Sequence, residues 1–306
     1  MAAPCFSIGP FARTGRPQRP PLSTLDRTSG NDMNIRLSWK RTAQFVVVLF
    51  CAVAVKFYYS TASVNHLRWI LAPTTFLVEL ISGSQFEFEP YAGYMNRDRS
   101  FVIAASCAGV NFLITAFLML AIRRLWADRT QNRPVSSGWK FIPAAALIAY
   151  ATTLIANTVR ISTALQLRGS ALGMGWLDGS QLHRFEGIFV YFGFLLLLFL
   201  VSEKVSSPAG ARAQESSTSK SAWALLRQSA FPLLIYYATT LGIPLANGAY
   251  RTGPVTGGFW EHAVFVLVTP LVLILPLTAL QLFRKTASPI QNQQPTFSLH
   301  RSWRAH

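Results

Sequence analysis

Charged residues are scarce in this chain, and acidic residues are scarcer than basic ones. Charged side chains make up 13% of its 306 residues, with 12 Asp and Glu against 28 Lys and Arg, whereas soluble domains carry about 25%. The basic residues lie in short clusters between long apolar runs, as expected for a chain embedded in lipid, where a buried charge is costly. We therefore interpret the net charge of +16 as basic loops facing anionic lipid, and predict no nucleic-acid partner.

The sequence also lacks the motifs of several common enzyme classes. It contains no Gly-x-Ser-x-Gly elbow, no His-Glu-x-x-His zinc motif and no internal repeat. Its three cysteines, Cys5, Cys51 and Cys107, are too few and too scattered for a disulfide framework. Cys51 lies in the middle of an apolar run and is interpreted as a small buried hydrophobic residue. We predict neither a metal nor an organic cofactor.

Six apolar runs reach the length of about 20 residues that a membrane-spanning helix needs. They cover residues 42–60, 100–122, 140–160, 184–202, 229–247 and 261–283. A shorter run, 67–82, contains Pro73 and Glu79 and is predicted to form a re-entrant or interfacial helix. The predicted fold is all-α, a polytopic transmembrane helical bundle with six spans and this one short helix.

The basic clusters predict how the chain is oriented in the membrane. They precede the first span and follow the second, fourth and sixth, as in Arg36–Arg41, Arg123–Arg133, Lys204–Arg227 and Arg284–Lys285. Because Lys and Arg concentrate in cytoplasmic loops, both termini are predicted to be cytoplasmic. The connections 61–99, 161–183 and 248–260 then lie outside, and the chain is a multi-pass protein of the cytoplasmic membrane.

Composition divides the chain into five parts. Residues 1–32 are rich in Pro, Gly, Arg and Ser and are predicted to be a disordered extension, with Met33 as an alternative start of translation. Residues 33–202 form the predicted membrane core, and residues 203–228 a Ser-, Ala- and Lys-rich cytoplasmic linker. A helix pair follows at 229–285, and residues 286–306 form a cytoplasmic tail. The helix pair is assigned to one of three roles: binding a substrate helix, packing on the core or setting the oligomeric state.

Three polar residues fall at a similar predicted depth near the outer face, on three different spans. Cys107 lies about two turns into the second span, Arg160 at the end of the third and His183 at the start of the fourth. A thiolate is a nucleophile, an imidazole can take the thiol proton and return it to a leaving amine, and a guanidinium stabilises negative charge. The three types suffice for acyl transfer through a thioester. Each also has a purely structural interpretation, as a packing cysteine, a membrane-anchoring arginine and an interfacial histidine.

Polar residues within one helical turn of these candidates are assigned supporting roles: Asn111, Asn157 and Glu186. Asn111 and Asn157 are predicted to share a helix face with Cys107 and Arg160, respectively. Glu186 is predicted either to orient His183 or to pair with Arg184.

At these residues the chain resembles the exosortase/archaeosortase family of membrane transpeptidases, and more narrowly its exosortase K branch. The resemblance covers about residues 100–200 and consists of three motifs in order: Ser106-Cys107-Ala108-Gly109, Asn157-Thr158-Val159-Arg160-Ile161, and His183 followed by Glu186-Gly187.

The resemblance implies an activity. Such enzymes cleave exported proteins at a C-terminal sorting signal, made of a short motif, a membrane helix and a basic tail, and pass the acyl group to an acceptor. Cys107 would be the nucleophile, Arg160 the partner of the thiolate or oxyanion, and His183 the general acid and base. The family often occurs beside exopolysaccharide production in Gram-negative bacteria, which implies an inner-membrane location with the active site facing the periplasm.

Two other functions fit the same residues. A transporter or lipid-handling protein could use Arg160, His183 and Glu186 as a polar relay. A membrane assembly factor without catalytic activity would have no special need for Cys107. Replacement of Cys107 by Ser discriminates these possibilities, because thiol chemistry depends on the sulfur.

Overall fold

The computed structural model describes residues 25–131, 134–169, 179–206, 222–248, 251 and 258–286. Side chains are described from Trp39 onward, apart from those of residues 168–169, 179–181, 183, 222–227, 277 and 280–286.

Long apolar helices dominate the described part of the chain. They are α1 (Leu25–Thr61), α3 (Val110–Thr130), α4 (Val135–Gly169), α5 (Gly179–Ser206), α6 (Ala222–Tyr237) and α8 (Phe259–Thr286); α6 continues through a π-helical turn (Ala238–Gly242) into the short α7 (Ile243–Ala246). Within the described residues, six segments are long and apolar enough to cross a membrane. The predicted helical bundle is confirmed, and the chain is a multi-pass membrane protein.

The short helix predicted at 67–82 is α2 (Arg68–Ser82), which follows a 3₁₀ turn at Asn65–Leu67. Its 15 residues extend about 22 Å at 1.5 Å per residue, less than the hydrocarbon thickness of about 30 Å. It packs mainly against α4 through a buried face formed by Ile70, Leu71 and Val78. The helix ends at Gly83, whose left-handed backbone stops it.

A three-stranded antiparallel sheet, which the sequence analysis did not predict, follows α2. Its order is β1 (Phe86–Glu89), β2 (Gly93–Asn96), β3 (Val102–Ile103). The carboxylate of Glu79 on α2 accepts a 2.7 Å hydrogen bond from the backbone N–H of Phe86, which fixes the start of the sheet. Gly93 has φ +121°, and a Cβ there would lie 2.2 Å from the carbonyl oxygen of Ile103, so this position requires glycine. We call the end of the bundle beside this sheet the sheet end.

Several boundaries differ from those predicted. Helix α1 begins at Leu25, so residues 25–32 are helical where composition predicted disorder; the last proline of the extension is Pro21, and helix starts soon after it. Residues 1–24 lie outside the described residues, as do 207–221 of the predicted linker and 287–306 of the predicted tail. The remainder of the linker, on either side of 207–221, is helical.

At the end opposite the sheet, α1 is fixed to the turn between α3 and α4. Gln44 is 3% exposed, and its Nε2 donates a 2.6 Å hydrogen bond to the carbonyl oxygen of Val135. A Cβ on Gly138 would lie 2.7 Å from that same Nε2 atom. A side chain at position 138 would therefore meet the Gln44 amide where it now bonds Val135.

The C-terminal helices pack on the core, which is one of the three roles predicted for them. The hydroxyls of Thr115 on α3 and Thr239 in the π-helical turn are 2.9 Å apart. The ring of Tyr236 on α6 meets that of Phe192 on α5 edge-on, with centroids 5.5 Å apart. Helices α6 and α8 thus form part of the same bundle as α3 and α5.

Candidate functional site

Cys107 lies in a short 3₁₀ turn, Ala105–Ala108, directly after β3. Gly109 follows with a left-handed backbone, φ 70°, and α3 begins only at Val110. The prediction that Cys107 lies two turns inside a continuous helix is therefore wrong. The apolar run at 100–122 conceals a strand and a change of direction that left-handed Gly109 permits.

Gly109 also allows three elements to meet beside Cys107. A Cβ at this position would lie 3.2 Å from the side chain of Thr153 on α4 and 3.3 Å from the hydroxyl of Tyr191 on α5. Both distances are tighter than ordinary van der Waals contact. The glycine thus brings α4 and α5 against the turn that carries Cys107.

Asn111 does not share a helix face with Cys107, because Gly109 separates the 3₁₀ turn from α3. Its side-chain oxygen instead accepts a 2.8 Å hydrogen bond from Nζ of Lys56 on α1. Asn111 therefore links α3 to α1.

A chain of hydrogen bonds joins the backbone of Cys107 to Arg160. The amide nitrogen of Asn157 donates to the carbonyl oxygen of Cys107 at 2.5 Å. The hydroxyl of Tyr191 donates to the side-chain oxygen of Asn157 at 2.9 Å, and the Arg160 guanidinium donates to the Tyr191 oxygen at 3.3 Å. We call these four residues the Cys107–Arg160 network. Asn157, chosen because it lies one turn from Arg160, is fully buried within it.

Arg160 on α4 packs against Tyr191 and Gly187 of α5. It lies inside α4, which continues to Gly169 rather than ending near 160 as predicted. The guanidinium stacks over the Tyr191 ring, 5.4 Å from its centroid, and interacts electrostatically with Cys107 and with Glu186. A Cβ on Gly187 would lie 2.9 Å from its Nε atom. Glycine at 187 therefore makes room for the arginine.

Arg184, which was predicted as an alternative partner of Glu186, contacts another carboxylate. Arg184 forms an ion pair with Glu261 on α8, at 3.8 Å. Glu186 is 8% exposed and interacts with Arg160. The structure thus places Glu186 beside the arginine of the site.

His183 lies in α5, one helical turn before Gly187. Its side chain lies outside the described residues, and so does the predicted contact with Glu186. The structure places its backbone on the helix that supplies Glu186 and Tyr191 to the site.

A cavity of about 270 Å³ opens beside the Cys107–Arg160 network. Its lining comes from α1, the 3₁₀ turn, α3, α4, α5, α6 and α8, and includes Tyr59, Ser106, Gly109, Arg160, Tyr191 and His262. Ser106 and Gly109 flank the segment that contains Cys107. The C-terminal helices, to which the sequence analysis assigned no chemistry, therefore contribute to the lining of this cavity.

Three residues of this site were not predicted from the sequence: Tyr59, Tyr191 and His262. Tyr59 lies close enough to Cys107 and Arg160 to interact electrostatically with both, and its hydroxyl donates to the Ala105 carbonyl at 3.5 Å. Tyr191 follows Gly187 by four residues, a spacing that marks a shared helix face and was readable in the sequence. His262 carried no such signal, because nothing in the sequence joins α8 to the core.

The described residues contain no group of three or more His, Cys, Asp or Glu side chains that could hold a metal ion. They bring a guanidinium and two phenol rings, those of Arg160, Tyr59 and Tyr191, to the lining of the cavity, next to the turn that carries the Cys107 thiol. Such a set can stabilise a thiolate nucleophile and a developing negative charge.

No protein-family model, curated protein or solved structure matches this chain.

Proposed function

We propose that the chain is a membrane cysteine transpeptidase or protease. It cleaves the C-terminal sorting signal of exported proteins through a thioester acyl-enzyme and transfers the acyl group to an acceptor. The Cys107–Arg160 network beside the cavity is the observation that carries this proposal. It joins two residues 53 positions apart in the sequence that the chemistry of thioester formation requires in one place.

Two sources of positive potential lie beside Cys107. The Arg160 guanidinium, which never loses its proton, is joined to the Cys107 backbone through Tyr191 and Asn157. The second source is the N-terminus of α3, which begins three residues after Cys107 and has no side-chain cap. Both support the proposal, because either can stabilise the negative charge that develops during acyl transfer.

The proposed reaction proceeds in two balanced steps. His183 takes the thiol proton as the Cys107 sulfur attacks the carbonyl carbon of the scissile peptide, and Arg160 stabilises the negative charge that develops on the carbonyl oxygen. The C–N bond breaks as His183 returns the thiol proton to the leaving amine, which departs with the substrate's membrane helix. The acceptor, or water, then attacks the thioester and gives up its own proton to His183. The C–S bond breaks, and the proton passes to the departing sulfur.

The distribution of charge supports one orientation for this chemistry. Arg41, Arg123 and Arg129 lie at the end of the bundle opposite the sheet, and basic residues prefer the cytoplasm. We place the sheet end and the cavity on the outer face of a bacterial inner membrane, with both termini cytoplasmic. An exported protein whose tail helix is still in the membrane would present its cleavage motif at this level.

The test is cleavage of a co-expressed sorting-signal protein by the wild type, Cys107→Ala and Cys51→Ala, followed by gel shift. Cys51 is the matched control, because it is the other free, half-buried cysteine among the described residues. We expect Cys107→Ala to abolish processing while remaining in the membrane, and Cys51→Ala to process normally. Equal processing by all three proteins would exclude the thiol mechanism.

The proximity of buried Glu186 to Arg160 favours the transporter as the second candidate. Ionisable residues inside a bundle commonly line transport pathways. A transporter would tolerate Cys107→Ser but lose function with Glu186→Gln, whereas the transpeptidase would lose function with Cys107→Ser. Comparing these two variants therefore separates the two functions.

A further inference from the structure

A groove of about 890 Å³ runs along the side of the bundle, outside the Cys107–Arg160 network. One wall is α1, the other is formed by the π-helical turn, α7 and α8, and the floor is α3. Helix α1 packs on α3 and α4, whereas α6 and α8 pack on α5 and on each other. The two sets of helices are therefore separated above α3, and the groove lies between them.

The lining of the groove changes character along its length. Toward the middle of the spans its lining is mostly apolar, with Leu49, Val53, Ile114 and Leu118 beside three threonines, Thr115, Thr239 and Thr240. At the sheet end most of the lining is polar, with Lys56, Ser60, Asn111, Asn247 and His262 beside Phe57 and Phe259. Because it has one polar end and an apolar length along the spans, the groove matches an amphiphile standing upright in a membrane.

Lys56 carries a charge at the polar end. It lies five residues before the end of α1, and its side chain is half-buried. Its ammonium does not extend along α1 toward water but crosses to α3, where it donates to Asn111. An ammonium has three donors, so this bond holds it at the mouth of the groove with donors remaining for an anion.

The charges around this ammonium favour an anionic ligand. The residues lining the groove include no Asp or Glu within the described part of the chain. Glu261, next to His262 on α8, is paired with Arg184. A cation without a lining carboxylate at the head of an apolar groove is complementary to a phosphate joined to an acyl chain.

We propose that this groove binds an anionic phospholipid of the outer leaflet, with its phosphate on Lys56 and one acyl chain between α1 and α7–α8. Asn111, Thr115, Thr240 and His262 line both the groove and the cavity beside Cys107. The lipid headgroup therefore lies against the wall of the candidate site. The choice of leaflet rests on the orientation proposed above, whereas the binding itself does not depend on the reaction proposed for Cys107.

The test uses the full-length protein in phosphatidylcholine nanodiscs that contain a small fraction of phosphatidylglycerol with a diazirine on its acyl chain. After irradiation, mass spectrometry locates the labelled residues. We expect labelling to concentrate on Leu49, Val53 and Leu118. Lys56→Gln is expected to lower it about fivefold, the effect of one cation acting on an anionic headgroup. Lys140→Gln, which removes an exposed lysine from α4, serves as the control and leaves labelling unchanged.

A second pair of variants tests the apolar part of the groove. Val53→Trp fills it and is expected to abolish labelling on Leu118. Val46→Trp changes another exposed valine of α1 that does not line the groove, and is expected to have no effect. Thermal unfolding of each variant in detergent confirms that the bundle is intact.

Three results would overturn the proposal. Even labelling of all lipid-facing helices would show that the lipid surrounds the protein without binding specifically in the groove. Equal labelling in the wild type and Lys56→Gln would remove the phosphate contact. The third result is a wild-type groove that the lipid does not label, together with a photo-crosslinking residue at position 53 that reacts with a protein. A partner helix would then occupy the groove.

Discussion

At the scale of single residues, Tyr191 is part of the hydrogen-bonded connection between Cys107 and Arg160, the two residues that carry the proposed chemistry. Its hydroxyl bonds both Asn157 and Arg160, and its ring stacks on Phe112, with centroids 5.0 Å apart. A phenylalanine would keep the ring contact and lose both hydrogen bonds. Tyr191 is therefore a positioning residue that acts through Arg160.

We expect Tyr191→Phe to reduce kcat by roughly 10- to 100-fold, because a buried polar partner left without its hydrogen bond costs about 1–3 kcal/mol. KM is expected to change little, since the hydroxyl bonds protein groups. Tyr150→Phe is the matched control: its hydroxyl donates to the Trp69 carbonyl at 2.7 Å, away from the cavity. Equal losses in both variants would assign Tyr191 a merely structural role.

The arginine itself provides a second prediction. Arg160→Lys keeps a charge but loses the planar fork that reaches Tyr191, so we expect processing to fall by about 100-fold or more. Arg123→Lys, at the opposite end of the bundle, loses its contacts with Ser202 and Glu203 instead and is expected to process normally. Full activity of Arg160→Lys would show that charge alone suffices.

Two histidines can be compared as the general base. The proposal assigns this role to His183, whereas the structure places His262 on the cavity lining. We expect His183→Ala to lower kcat by roughly 100- to 10,000-fold, as the loss of a general base does, and His262→Ala to have a much smaller effect. The opposite result, measured on the same substrate, would transfer the role to His262.

At the scale of helices, the approach of α4 to α5 depends on Gly187. We expect Gly187→Ala to displace the Arg160 side chain and reduce activity at least tenfold, while the bundle stays folded, because only 2.9 Å separates the new Cβ from the Nε atom. Gly193→Ala on the same helix would meet only Leu273, at 3.7 Å, and is the control. Similar activity in the two variants would mean that the guanidinium has room to move.

The helices were predictable from sequence, but the elements between them were not. Lipid offers no hydrogen-bond partner to the backbone, so a long apolar run in a membrane must form a helix that satisfies its own backbone groups. All six spans were therefore predictable from the sequence. The 3₁₀ turn at Cys107 and the preceding sheet were missed, because β3 has only two residues and its apolar composition merges with the helix that follows. The left-handed backbone of Gly109 is a tertiary property that composition does not encode.

The parts of the candidate site that lie on one regular helix could be predicted from the sequence, whereas the parts that depend on a turn or on helix packing could not. Asn157 and Arg160 lie three residues apart on one regular helix, so their relative placement could be read from the sequence, but the Tyr191 hydroxyl that joins them could not. The face shared by Cys107 and Asn111 was predicted wrongly, because it required helix through Gly109. The position of His262 in the cavity lining depends on how α8 packs against α5, and no local sequence pattern predicts that packing.

At the scale of the whole molecule, the proposed orientation places the sheet end outside. In a chain with all three cysteines replaced by alanine, we expect Tyr91→Cys to react with a membrane-impermeant maleimide in intact cells. Tyr91 is 97% exposed, in the connection between β1 and β2. Gln131→Cys, exposed at the other end of the bundle, is expected to react only after lysis. The reverse pattern would invert the topology and move the cavity to the cytoplasm.

The contact between Gln44 and Gly138 has a consequence for how this chain can vary over evolution. Since a Cβ at 138 would lie 2.7 Å from the glutamine amide nitrogen, a larger residue at 138 requires the Gln44 side chain to leave its hydrogen bond with Val135 or α1 to move away from α4. In related chains the two positions are expected to covary, with a larger residue at 138 accompanied by a smaller one at 44. Val46, an exposed valine of α1 that does not line the groove, has no such constraint and can be replaced by other apolar residues.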